Sequence, residues 1–202
     1  MLPAMASRKT LGAIALASAL TILAACGDSS GTSARSHSTP TSVAGEVSPA
    51  GDIPDTQTYV PYSSPTGAYS ITVPEGWARS GTGDSATFTD KYNSIRIDRA
   101  SAAASPTPLS AEANDIPRLR ADGATNISGA RTVRRKAGRA VRITYVAKSP
   151  PDPTTGKTAP LAVERYQFWK NANLVTLTLA GAQGSDNVDP WRTVTDSFAW
   201  VP

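Results

Sequence analysis

The chain has 202 residues, with 20 basic and 16 acidic side chains, one histidine, one cysteine and a formal net charge of +4. A lone cysteine excludes an internal disulfide, and a lone histidine leaves too little for the usual zinc sets or a histidine-based nucleophile system. The charge excess is too small to imply nucleic acid as a partner.

Arg8 and Lys9 precede an uncharged stretch, Thr10 to Ala25, made apolar by Leu11, Ile14, Leu16, Leu20, Ile22 and Leu23. A positive start, an apolar core and small residues at its end form the layout of a secretory signal. The run is about 16 residues, short of the ~20 that span a bilayer as a helix. Residues 1–25 are therefore expected to be a signal peptide. Leu23-Ala24-Ala25-Cys26 resembles the lipobox of bacterial lipoproteins. That resemblance implies a diacylglyceryl group on the Cys26 sulfur and cleavage just before it. The alternative is a plain secretory signal cut near Ala25, which leaves a free thiol open to oxidation. Two acyl chains hold a protein stably where one does not. The expected location is the extracytoplasmic face of the cell membrane, lipid-anchored and without a spanning segment.

Of the 31 residues from Gly27 to Gln57, 18 are Gly, Ser, Thr or Pro, and the only histidine, His37, lies among them. Such a stretch cannot bury enough surface to offset the entropy of ordering it. Residues 26–57 read as a disordered tether with a reach of roughly 30 Å. Without Arg8 and Lys9 the chain carries 18 basic and 16 acidic residues, which is close to neutral.

Residues 58–202 read as one domain. Tyr69, Ile71 and Val73 alternate with Ser70 and Thr72, as do Ala86 with Phe88 and Ile95 with Ile97, the period of half-buried strands. "GTGDSA", Gly81 to Ala86, imitates a dinucleotide glycine pattern but leads into strand residues and reads as a turn. Thr107-Pro108 is a cap followed by proline at the first helical position. Leu109, Ala113 and Ile116 are then expected on the buried face, with Pro117 kinking or breaking the helix. "RTVRRKAGRAVR", Arg131 to Arg142, has six basic residues in twelve. With a turn at Ala137-Gly138, Arg134, Arg135, Lys136 and Arg139 are expected to cluster at one tip. They form either a solvated edge or an anion-facing surface for lipid headgroups or an acidic partner.

Val141, Ile143 and Tyr145 continue the period of two. "PDPTTGKT", Pro151 to Thr158, ends like a phosphate-binding loop but starts with proline where glycine is required, and reads as a connection. Val163 to Trp169 and Leu174 to Ala180 read as long strands around a turn at Lys170 to Asn173. "DNVD", Asp186 to Asp189, offers too few oxygens for a calcium loop and reads as helix capping by Asp189. Trp191, Val194 and Phe198 then form a buried stripe. Strands, a helix, four strands and a helix make an α+β domain with a mainly antiparallel sheet.

"GAYSITVPEGW", Gly67 to Trp77, resembles the opening of PsbP-like domains: a strand ending in proline, then a Gly-Trp pair. "DPWRTVTDSFAW", Asp189 to Trp200, is similar to their closing helix with its Ser-Phe end. The plan of lipobox, tether and such a domain is similar to actinobacterial lipoproteins of the LpqN/LpqT type. The resemblance implies an antiparallel sheet flanked by helices, a role in binding or assembly, and no catalytic residues. Tyr69, Pro74, Gly76 and Trp77 read as turn and core positions. The expected function is a non-enzymatic binding or adaptor lipoprotein without cofactor or metal, attached to the membrane through Cys26 and serving an unidentified protein or envelope partner. The alternative is an envelope enzyme or small-ligand carrier with an apolar pocket lined by Trp77, Tyr166 or Trp169.

Overall fold

The computed structural model describes residues 51–202. The expected signal peptide, the lipobox with Cys26, and the tether as far as residue 50 lie outside the described residues. Five strands come first: β1 Tyr59–Ser63, β2 Tyr69–Pro74, β3 Ala78–Ser80, β4 Ala86–Asp90 and β5 Asn93–Ser101. Helix α1, Pro108–Ala121, leads to four more, β6 Arg131–Arg135, β7 Gly138–Lys148, β8 Pro160–Lys170 and β9 Asn173–Ala182. Helix α2, Val188–Ser197, and the short β10, Ala199–Trp200, follow. The larger sheet has seven strands in the order β3-β4-β5-β9-β8-β7-β6, and the smaller has β1-β2-β10, with every pair antiparallel. The domain is α+β, as the strand and helix signals imply.

Strand alternation decides what each face of the large sheet meets. The registers Ile95–Leu179, Ile97–Leu177, Leu177–Tyr166 and Phe168–Ala140 place these side chains on one face. That face packs against Tyr69, Ile71 and Val73 of β2 and against Trp191, Val194 and Phe198. Val141 and Ile143 point the other way, onto Ala111 and Ile116 of α1. The result is three layers: α1, the large sheet, and the small sheet together with α2. Each fully buried aliphatic side chain contributes about 1.5–3 kcal/mol, so the long β5–β9–β8 centre dominates stability.

Three local expectations are corrected. Helix α1 keeps its Thr107 cap, with reciprocal bonds between Thr107 and Ser110, but it runs through Pro117 to Ala121. Pro117 and Ala113 are both exposed, so the carbonyl that proline leaves unbonded faces water. Leu109 and Ala113 are exposed as well, and the buried pair is Ala111 and Ile116. The helix is turned because Asp115 faces the sheet, where its Oδ1 accepts from Arg165 at 3.4 Å and from Gln167 at 3.2 Å. At α2 the cap position is Asn187, not Asp189, and Asn187 makes no side-chain cap bond.

Asn187 is occupied elsewhere. Its Oδ1 accepts from Ile53 N at 2.8 Å, and its Nδ2 donates to Gly51 O at 3.0 Å and to Asn93 Oδ1 at 3.1 Å. Asn187 is 2% exposed and Ile53 lies in the core. The domain thus starts by Gly51, seven residues before the expected boundary at Thr58. A lone isoleucine in polar sequence gives little warning of such anchoring. Gly51 is required twice over: its φ is +104°, and a Cβ there would sit 2.7 Å from Ala182 Cβ.

Candidate functional site

The basic hairpin turns at Lys136-Ala137, one residue earlier than expected, so that Arg134 lies opposite Arg139 and Arg135 opposite Gly138. Alternation then divides the expected cluster. Arg135 shares a face with Val133, which packs toward the α2 side, whereas Arg134 and Arg139 share the α1 face with Val141. The four cations do not form one patch.

Arg135 belongs to the fold. Its Nε donates to Thr195 Oγ1 at 3.0 Å and its Nη2 to Tyr166 Oη at 2.7 Å, and its guanidinium lies 5.0 Å from the Tyr166 ring centre. The Tyr166 hydroxyl donates in turn to Glu164, which also pairs with Arg142. Burial and the bond to Glu164 push the Tyr166 phenol up to about 12. The network fastens the β6 edge to β8 and α2, and Arg135 is committed to it.

Arg134, Lys136 and Arg139 are exposed. The ion pairs among the described residues are Arg96–Asp98, Arg99–Asp84, Arg135–Asp196, Arg142–Glu164, Arg165–Asp115 and Arg192–Asp196, and none includes these three cations. Beside Arg139 a cleft of about 220 Å³ opens between β7, β8 and the segment that enters α1. Its walls include Arg139, Gln167, Trp169, Thr132, Ser105 and Thr107. Trp169 is fixed by its indole N–H, which donates to Ala102 O at 2.9 Å. Gln167 is 5% exposed, and its Oε1 accepts no hydrogen bond.

Trp77, Tyr166 and Trp169 do not line one pocket. Tyr166 is buried on the α2 face, Trp169 borders the cleft on the α1 face, and Trp77 packs at the margin of the main core. The one of the three that borders this cleft, Trp169, shares it with Arg139, Gln167 and Thr132, so the cleft is not the apolar pocket of the alternative reading. The Pro151 to Thr158 stretch is an exposed connection, organised by Asp152 Oδ1, which accepts from Thr154 N, Thr155 N and Thr155 Oγ1. Those bonds hold the Asp152 carboxyl below the usual carboxylate range. Gly81 to Ser85 forms the turn before β4. Among the described residues no three His, Cys, Asp or Glu side chains come together as a metal site, and no helix is long and apolar enough to cross a membrane.

Gln167 was not singled out in the sequence, and the α1 entrance at Thr107-Pro108 was read only as a helix cap. β8 also carries Glu164, Arg165 and Lys170, so no local signal in the sequence marks Gln167 as the buried one.

No protein-family model matches the chain, and no curated protein matches it. Solved structures do. The Ran-binding protein Mog1p of Saccharomyces cerevisiae aligns at TM-score 0.46 and 12% identity, over 72% of this chain and 97% of that one. Cyanobacterial PsbP (CyanoP) of Synechocystis aligns at 0.47 and 15%, over 80% and 99%. LpqN of Mycobacterium tuberculosis, described as involved in cell envelope biogenesis, aligns at 0.42 and 10%, over 73% and 93%. These are likenesses of chain path.

Proposed function

We propose that this chain is a lipid-anchored, non-enzymatic binding protein of the outer face of the cell membrane, and that it meets an anionic partner with the α1 side of its β6–β7 hairpin. The observation that carries the recognition is the facing pair Arg134 and Arg139, exposed and without an ion pair among the described residues. Like charges directly opposite on neighbouring strands are destabilising. A bound anion relieves that repulsion. The anchor is supported by the charge-free apolar run ending in Leu23-Ala24-Ala25-Cys26 and by the low-complexity stretch after it. On a tether of roughly 30 Å the domain reaches the surface that holds it.

Mass spectrometry of the membrane-extracted protein tests the anchor. The expected N-terminal peptide starts at Cys26 and carries the mass of a diacylglyceryl group, and a free Cys26 thiol refutes it. Retention of the detergent-solubilised chain on phosphocellulose tests the hairpin. Replacing Arg134 and Arg139 by Ser is expected to lower the eluting salt concentration well beyond the same charge change at Arg118 and Arg120. Equal shifts for the two pairs would show that only net charge matters.

A further inference from the structure

The large sheet ends at β6, which among the described residues is bonded to β7 alone. A sheet edge is an open template for pairing unless something closes it. At the opposite edge β3 has three residues, and β1 of the small sheet is interrupted by Pro61, which has no N–H to offer. β6 has five residues and no proline.

The hairpin decides which backbone groups β6 leaves open. Lys136 and Ala137 form a two-residue turn closed by Arg135 and Gly138, so that closing pair is bonded across the hairpin. Bonded pairs recur at every second residue, and Arg131, Val133 and Arg135 therefore turn their N–H and C=O groups inward to β7. Thr132 and Arg134 turn theirs outward. Arg134 O receives Arg135 Nη1 at 3.1 Å, which agrees with that direction. No strand or turn among the described residues meets Thr132 N–H, Thr132 O or Arg134 N–H.

The side chains along this edge are of one sign. Arg131 and Arg134 are exposed and enter no ion pair among the described residues, Arg139 stands opposite Arg134, and β6 has no acid. Val133, between the two arginines, is half-buried. A second copy of β6 would bring arginines against arginines, which is how charge keeps like edges apart. The same charge admits a strand that carries carboxylates. The chain enters the described domain at Gly51, beside Ala182 at the end of β9, whereas the hairpin turn lies at the end where β9 begins. The ten residues of β9 put about 30 Å between those two ends. The basic edge thus lies away from the point of entry, which favours a polypeptide over the surface that holds the chain.

We propose that β6 accepts an acidic, extended polypeptide segment as a further antiparallel strand of the large sheet. Thr132 and Arg134 exchange backbone hydrogen bonds with it, which gives affinity, and alternate side chains give specificity. One carboxylate lies beside Arg134 on the α1 face, another beside Arg131 on the α2 face, and a small apolar side chain covers Val133. The proposal rests on the anion-facing reading of the hairpin and names the partner's chemistry and conformation.

The test uses the full chain in uncharged detergent, with the end-capped peptide Ser-Thr-Glu-Val-Thr-Glu-Ser as the probe and two-dimensional NMR as the readout. Saturable shifts are expected along β6. The Thr132 and Arg134 amides should gain about ten-fold or more protection from hydrogen exchange, while Val133, already bonded to β7, should change little. Attraction by charge alone would shift the spectrum without protecting those two amides. Methylating the two peptide nitrogens that face Arg134 and Thr132 keeps the charge and should weaken binding about ten-fold or more. A peptide with lysine in place of glutamate should not bind. Thr132→Pro removes an outward N–H, keeps every charge and suits an edge strand, and it should weaken the probe about ten-fold. If that variant does not fold, the methylated peptide makes the same comparison on the parent chain. Absence of saturable shifts, equal binding of the methylated or lysine peptide, or unprotected Thr132 and Arg134 amides in the bound state overturns the proposal. So does protection of those amides in a concentration-dependent dimer without peptide, which assigns the edge to a second copy. Shifts along β6 with phosphatidylglycerol vesicles but not with the peptide assign it to lipid and overturn it as well. Each of these outcomes leaves the phosphocellulose result and the anchor intact.

Discussion

Asn187→Ala tests whether the segment 51–53 is part of the folded domain. The side chain makes three hydrogen bonds, to Ile53 N, Gly51 O and Asn93 Oδ1, from a position 2% exposed. A typical hydrogen bond contributes about 1 kcal/mol net, and each buried group left unpaired costs about 1–3 kcal/mol. The expected loss is therefore about 3–5 kcal/mol, reduced if water enters from the open side of the segment. For a domain of this size that lowers Tm by about 6–20 °C. Chemical denaturation measures the loss, and amide exchange at Ile53 locates it, because the Ile53 N–H should lose its protection first. Asn187→Asp should be at least as damaging at neutral pH, since the new carboxylate faces two oxygen acceptors. Its carboxyl pKa is then raised in the folded state, so this variant should gain stability as pH falls through that value. A loss below about 1 kcal/mol for Asn187→Ala, with Ile53 still protected, would refute the reasoning.

At Gly181 a Cβ would stand 2.6 Å from Asn187 Nδ2 and 2.7 Å from Asn93 Oδ1, so Gly181→Ala should cost about 1–3 kcal/mol by denaturant titration even though alanine suits a strand no worse than glycine. Arg135→Met and Arg139→Thr should move stability in opposite directions. The first loses about 2–4 kcal/mol through the bonds to Thr195 and Tyr166; the second is neutral or stabilising by up to about 1 kcal/mol, because it removes a like-charge pair. Equal losses in thermal melts would contradict the division of the hairpin. Tyr59, Tyr69, Tyr145 and Tyr166 all have phenols raised by burial, Tyr166 to about 12. Raised folded values mean that their contribution is complete below the unfolded value near 10 and is lost as pH climbs toward the folded ones. Phenolate absorbance should accordingly lag behind free tyrosine, and melting temperature should fall from about pH 10 upward; phenols that titrate like free tyrosine in the intact fold would oppose this.

The large sheet was legible because Ile95, Ile97, Val141, Ile143 and the β8–β9 pair each carry a period of two or a long apolar run. The edges were less so. β1, β3 and β10 are short and lean on tertiary pairing, as with Ala199 and Trp200 against β2, which no local pattern announces. The turn of α1 about its axis was misread because Asp115 is drawn inward by Arg165 and Gln167, residues 50 or more positions away in the chain. The basic hairpin was found, but a turn displaced by one residue sends alternate side chains to opposite faces. Composition counts six cations and cannot tell which face each one takes.

Nothing in either sheet is the first thing a pull on the chain ahead of Gly51 would meet. The force would arrive at the Asn187 bracket, where a few side-chain bonds and the buried Ile53 hold a stretch that belongs to no strand. Such a bracket behaves as a mechanical fuse. When it opens, the seven residues 51–57 pay out up to about 25 Å of extended chain before β1 carries any load. Opening it would lengthen the molecule by that step and leave the β6–β7 hairpin intact.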